Sequence, residues 1–251
     1  MKKLLFVTSL LIVFMIAPMA MALQVKFVSG YGPYQTGQGG EFTVAPSADL
    51  QWVLNYYVEG VTKNVVAGST NWPYNFQTFC IEGGETVSGN ATYNVVLNDR
   101  AIYGGVGPGG DPLSVGAAWL YYEFQIAGDF DGYATYDFTN PGRSGSGNSA
   151  DLLQKVIWWL EGEKGIAYDG TNPFMAAVVT KFLTQNDAKA DNNGAYPVAV
   201  LNLYDPNTGA RAQDLLVGVP EPGTMLLLGS GLLGLAGIAR RRFRKKLNLK
   251  G

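Results

Sequence analysis

Cys80 is the one thiol in a chain of 251 residues that contains no histidine. Without an imidazole there is no Ser-His-Asp or Cys-His catalysis, no histidine-based metal site and no ordinary general base near neutral pH. A single cysteine also excludes any disulfide within the chain. Two roles are left for it, a nucleophile in its own right or a small hydrophobe in a core, and residue type alone favours the second. Its surroundings, "QTFCIEGGE" over residues 77–85, read as a strand that ends at Gly83 and Gly84. On such a strand Phe79 and Ile81 point one way, and Phe76, Thr78 and Cys80 point the other.

The elements that would position this strand follow from periodicity. Segments 24–29, 41–45, 50–60, 74–82 and 92–98 are rich in aromatic and β-branched residues, with glycine-rich punctuation between them. In the third of these, Trp52, Leu54, Tyr56 and Val58 fall on one face at period two. Segments 196–204 and 213–218 read as strands again, with Pro197 marking an edge or a strand start. Between the two groups the period changes. Asp111 and Pro112 supply an N-cap and first-turn proline, followed by a helical stripe of Val115, Ala118, Trp119, Tyr122 and Ile126. A second helix starts near Asn148 or Ser149 and runs through "ADLLQKVIWWLEG", and a third starts at Asn172-Pro173. The fold class is therefore α+β, an antiparallel β-sandwich or barrel with a helical insertion of about three helices.

The second helix carries Leu152, Leu153, Val156, Ile157 and Leu160 as its main apolar stripe. Gln154 sits at the edge of that stripe, with Trp158 one turn further along on the same side. A large aromatic off the main face implies burial on more than one side. Gln154 is then desolvated and needs a hydrogen-bond partner.

Other signals fall short of a site. Asp129, Asp131 and Asp137 lie in a glycine-rich loop, but Tyr133 and Ala134 stand where an EF-hand continues with ligands. The run "GGVGPGGDP" precedes a helix yet lacks the Gly-Lys-Ser/Thr of a phosphate loop. No paired carboxylates for glycoside chemistry are discernible, and no metal or cofactor is expected.

The two ends read as addresses. Residues 1–22 have Lys2 and Lys3, an apolar run and the small residues Ala20 and Ala22 around Met21, the layout of a cleavable signal peptide. Residues 220–246 combine Pro220-Glu221-Pro222, an apolar stretch from 225 to 239 and a basic cluster from Arg240 to Lys246. The stretch is short for a transmembrane helix, and the cluster behind it favours a cytoplasmic C-terminus in transit. Removing Lys2, Lys3 and the seven basic residues of the tail leaves nine of the 18 Lys and Arg, whereas only Glu221 leaves the 20 Asp and Glu. The remaining body, residues 23–219, carries a net charge of about −10, which argues against nucleic acid as a partner.

This tail resembles the PEP-CTERM sorting signal of Gram-negative bacteria. The resemblance implies recognition by an exosortase-type machinery in the inner membrane, then release to the cell surface or extracellular matrix. The body carries a second resemblance. Phe79-Cys80-Ile81 and Gln154-Lys155-Val156-Ile157-Trp158 together resemble the thioester domains of bacterial surface adhesins, in which a strand cysteine and a helix glutamine join through their side chains. That likeness implies a Cys80–Gln154 cross-link shielded by Phe79, Ile157 and Trp158. The chain would then not be an enzyme; it would capture once, covalently, an amine or hydroxyl on an extracellular polymer or surface. The alternative is a non-covalent structural component of extracellular polysaccharide or biofilm, with Cys80 an inert core residue.

Overall fold

The computed structural model describes residues 23–28, 39–50, 65–69, 72–102, 110–126, 128–139 and 145–219. The expected signal peptide, the apolar tail and most of the 50–60 strand lie outside these residues. Leu50 itself, with Ala48 and Asp49, is helical rather than extended.

Seven strands form one antiparallel sheet: β1 (Gln24–Phe27), β2 (Phe42–Pro46), β3 (Val65–Ser69), β4 (Trp72–Thr78), β5 (Thr92–Asn98), β8 (Val198–Tyr204) and β9 (Leu215–Gly218). Their order is β3-β4-β2-β1-β5-β8-β9. A separate two-stranded ribbon joins β6 (Arg100–Ala101) to β7 (Asp111–Pro112). The long sheet curls into a half-barrel, because β9 returns to the continuation of β4. The Leu216 N–H donates to the Phe79 carbonyl at 3.2 Å, and the Ile81 N–H donates to the Asp214 carbonyl at 3.0 Å. Cys80 bridges Leu215 at this seam.

Strand alternation sorts side chains into two cores. Phe76, Cys80, Val95, Leu201, Leu203, Leu215 and Val217 face the concave interior. Phe79, Ile81, Val198, Val200 and Leu216 face the helices packed outside. β8 lies between β5 and β9 and begins directly after Pro197, so the proline starts an interior strand. There its missing N–H is needed by no ladder.

The helices are α1 (Val115–Ile126), α2 (Ser149–Leu160), α3 (Pro173–Phe182) and the short α4 (Gln185–Ala188). The N-cap expected at Asp111 is displaced. Asp111 and Pro112 pair with β6, and Ser114 caps α1 instead, its Oγ accepting from the Ala117 N–H at 3.2 Å. The expected α1 stripe also shifts: Ala118 and Trp119 are buried, but Ile126 is 43 % exposed, and the helix buries Ala117, Leu120, Tyr121 and Phe124. α3 begins as its sequence indicates, with Asn172 Oδ1 accepting from the Phe174 and Met175 N–H groups. None of the helices among the described residues is long and apolar enough to cross a membrane.

Candidate functional site: a buried Cys80–Gln154 contact at the sheet seam

α2 lies against the seam of the half-barrel, and its residues divide between the two cores. Leu153, Val156, Ile157 and Leu160 join the helical core, whereas Trp158 packs into the interior with Cys80. Gln154 is on that inner side and is 1 % exposed. Its carboxamide is hydrogen-bonded to the backbone at both ends. Oε1 accepts from the Cys80 N–H at 3.0 Å and from the Gly40 N–H at 3.2 Å, and Nε2 donates to the Cys80 carbonyl at 2.7 Å.

Two N–H groups converge on one carbonyl oxygen, which satisfies the buried amide. The same two donors would stabilise negative charge on Oε1 were a nucleophile to add to the carboxamide carbon. They are set in place by folding, so no reorganisation is needed when that charge appears. The nearest thiol along the chain is on Cys80, the residue that supplies one of the two donors. Burial first, then the Glu85 carboxylate, push the Cys80 thiol well above its usual range, with Lys164 pulling it down. The thiol is therefore protonated at neutral pH.

The other three residues of the expected constellation divide. Trp158 is in the Cys80 cluster and lines a cleft of about 390 Å³ together with Cys80, Glu82, Glu85 and Lys164. Phe79 and Ile157 face the helical core, where the Phe79 ring meets Phe124 edge-on at 5.0 Å. Lys164 follows α2 in a turn with φ of 56° and places Nζ 5.5 Å from the Trp158 ring centre. That turn is fastened to the strand end, because the Gly83 N–H donates to Glu163 at 3.0 Å.

Three contributors escape the sequence pattern. Gly40 acts through its backbone, and a backbone N–H has no side-chain signature; only the glycine run hints at it. Gly39 beside it adopts φ of +128°, and a Cβ there would lie 2.5 Å from Trp158 Cη2 and 3.0 Å from Gln154 Cγ. Glu82, two residues beyond Cys80, is 5 % exposed and lines the same cleft.

The remaining candidates are accounted for elsewhere. Asp131 pairs with Lys181 at 2.5 Å and Asp137 caps Thr139, so the acidic loop is engaged in local contacts. Among the described residues no group of three His, Cys, Asp or Glu suits a metal ion. A larger cleft of about 510 Å³ is lined by Arg100, Asp191, Asn193 and Tyr196. It holds no nucleophile, and its size does not outweigh the chemistry gathered at the seam.

The class defined so far is a mixed α/β body with a curled antiparallel sheet and a Cys–Gln contact in its core. Comparison adds the address: residues 218–245 match the PEP-CTERM protein-sorting motif. The chain is thus an exported protein sorted by exosortase, passing through the membrane to the cell surface or extracellular space. No curated protein and no solved structure matches the chain. The motif covers only the tail and lends the body's likeness to thioester domains no support.

Proposed function

We propose that the exported body fastens itself covalently to an extracellular polymer or surface through a thioester between Cys80 and Gln154. The observation that carries this reading is the Gln154 carboxamide, buried and held against Cys80 with two N–H donors on its oxygen. Cys80 Sγ adds to the carboxamide carbon, the C–N bond breaks, and ammonia leaves with the thiol proton. The product is an acyl–sulfur bond, more electrophilic than the amide it replaces. An amine or hydroxyl of the target then takes the acyl group, the C–S bond breaks, and the proton returns to Sγ. Each chain reacts once, so the activity is capture rather than turnover. Burial keeps water from the bond in the meantime. The sorting tail directs the body through the inner membrane of a Gram-negative cell to the place where such a target is met.

Intact mass tests this directly, with Cys80→Ala as the control. The expected wild type is lighter than its calculated mass by one ammonia and gains one methylamine on treatment, while the control does neither. A wild type at full mass with a titratable thiol would leave Cys80 a packing residue. The protein would then be a non-covalent component of the extracellular polysaccharide.

A further inference from the structure

Gln154 is not the only buried carboxamide that the fold sets against a nucleophile. β2 and β4 are antiparallel neighbours, and Thr43 stands directly opposite Gln77 in their register. Phe42, Val44 and Phe76 on these strands belong to the concave interior, so Thr43 and Gln77 face the helical layer by alternation. There both are buried, at 4 % and 0 % exposed. Directly opposite residues bring their side chains together on one face of a sheet. Here the hydroxyl reaches both ends of the amide: Thr43 Oγ1 is 3.0 Å from each of the two terminal atoms of the Gln77 carboxamide. An oxygen equidistant from both lies within about 3.5 Å of the carbon they share, the separation of a near-attack pair.

The amide nitrogen has a partner of its own. Turned toward Glu41, it donates to Glu41 Oε1 at 3.2 Å and to the Phe42 carbonyl at 3.1 Å, while the amide oxygen accepts from Thr43 Oγ1. Glu41 is fully buried, and the Tyr136 hydroxyl donates to its other carboxyl oxygen at 2.6 Å. The Tyr121 hydroxyl, from α1, donates to the Gln77 backbone carbonyl at 2.8 Å. Nucleophile, electrophile and carboxyl are thus each held in place by printed side-chain contacts within the fold rather than by solvent.

We propose that Thr43 and Gln77 join through their side chains as an intramolecular ester, a bond independent of the thioester reading. Oγ1 adds to the carboxamide carbon, the C–N bond breaks, and ammonia leaves with the hydroxyl proton. Glu41 Oε1, in contact with the departing nitrogen, steadies the positive charge which that nitrogen takes up as it gains the proton. No further reactant is required, and burial keeps water from the ester once it has formed. The bond spans 34 residues and ties two neighbouring strands. In a chain whose lone cysteine can form no internal disulfide, it is a covalent brace for the exported body.

Trypsin reads the bond in the purified full chain, because Lys63 lies between the two residues and Lys26 and Arg100 lie outside them. The digest is made on Cys80→Ala, which cannot form the thioester. Segments 27–63 and 64–100 are expected as one joined species, one ammonia below their summed mass. Two separate segments at full mass overturn the ester and leave the thioester standing. In the same background Thr43→Val keeps the shape without the hydroxyl and is expected to release the segments separately, whereas Thr43→Ser is expected to join them. Joined segments in Thr43→Val overturn the assignment. Fragmentation of the joined species tests it even where Thr43→Val fails to fold, since a link at any other pair overturns it. Glu41→Gln is expected to join about 100-fold more slowly; joining at an unchanged rate removes Glu41 from the reaction. With the ester present, every mass in the thioester test falls by one further ammonia, in wild type and Cys80→Ala alike. The difference between those two still reports Cys80 alone.

Discussion

Opening the proposed thioester with methylamine should loosen the fold by an amount set by chain topology. Cys80 and Gln154 are 74 residues apart in sequence. In the chain-entropy treatment of a cross-link, a closed loop of that size confers about 4–5 kcal/mol by restricting the unfolded chain. Aminolysis releases this restriction while disturbing the folded state little. The N-methyl amide left on Gln154 keeps a carbonyl for the Cys80 and Gly40 N–H groups and one N–H for the Cys80 carbonyl. With a urea dependence of about 2 kcal/mol per molar, the unfolding midpoint should fall by roughly 2 M on treatment. Tryptophan fluorescence in urea, on wild type before and after methylamine, reads the shift. Cys80→Ala should have one midpoint in both conditions. Wild type that gains the methylamine mass while its midpoint moves by less than about 0.5 M would refute the loop-closure reasoning.

Two other outcomes follow from the same geometry. Gly39→Ala should destabilise by about 1–3 kcal/mol, since the backbone has φ of +128° and the new Cβ meets the Trp158 ring. The displaced ring should also admit water and shorten the life of the thioester. An unchanged thermal midpoint would sink that reasoning. Glu161 is fully buried and accepts from Ser114 Oγ at 2.7 Å; burial raises its pKa from the usual 4.5 to about 7, against the lowering effect of Ser114. The folded state then holds its proton more tightly than the unfolded chain. Its contribution is complete below pH 4.5 and is lost as pH rises through 7, by about 3 kcal/mol. Glu161→Gln should flatten that part of the stability profile relative to wild type, and parallel profiles would count against it.

Much of the fold was open to a reader of the sequence where signals are local. Segment 92–98 is rich in β-branched and aromatic residues and is β5 to the residue, and Asn172-Pro173 starts α3 with the side-chain cap expected of it. Asp111-Pro112 carried the same signal and misled, because a competing pairing with Arg100–Ala101 claims it and Ser114 is close enough to cap in its place. The curl of the sheet was not legible. It depends on β9 meeting the end of β4 across more than 130 residues, and neither strand states its partner. At the site, the Cys80 and Gln154 side chains stood out through their resemblance to known thioester domains. Gly40, 114 residues from Gln154, contributes only a backbone donor. Glu82 looks like any surface acid until the fold buries it.

The location of the contact gives the proposed chemistry a structural consequence. Cys80 is the residue at which the end of β4 bridges Leu215, and Gln154 is the residue by which α2 meets that seam. A bond between them would tie the helical layer to the closure of the half-barrel, where β9 meets the continuation of β4. Capture of a target would break that tie and form another, so the body would lose internal restraint as it gains an external one. Trp158, with Lys164 against its ring, packs over the same point and must yield before a bulky nucleophile can enter. The turn at Lys164, with φ of 56° and held to Gly83 by Glu163, borders the same cleft. Reactivity and stability are thus coupled through one seam.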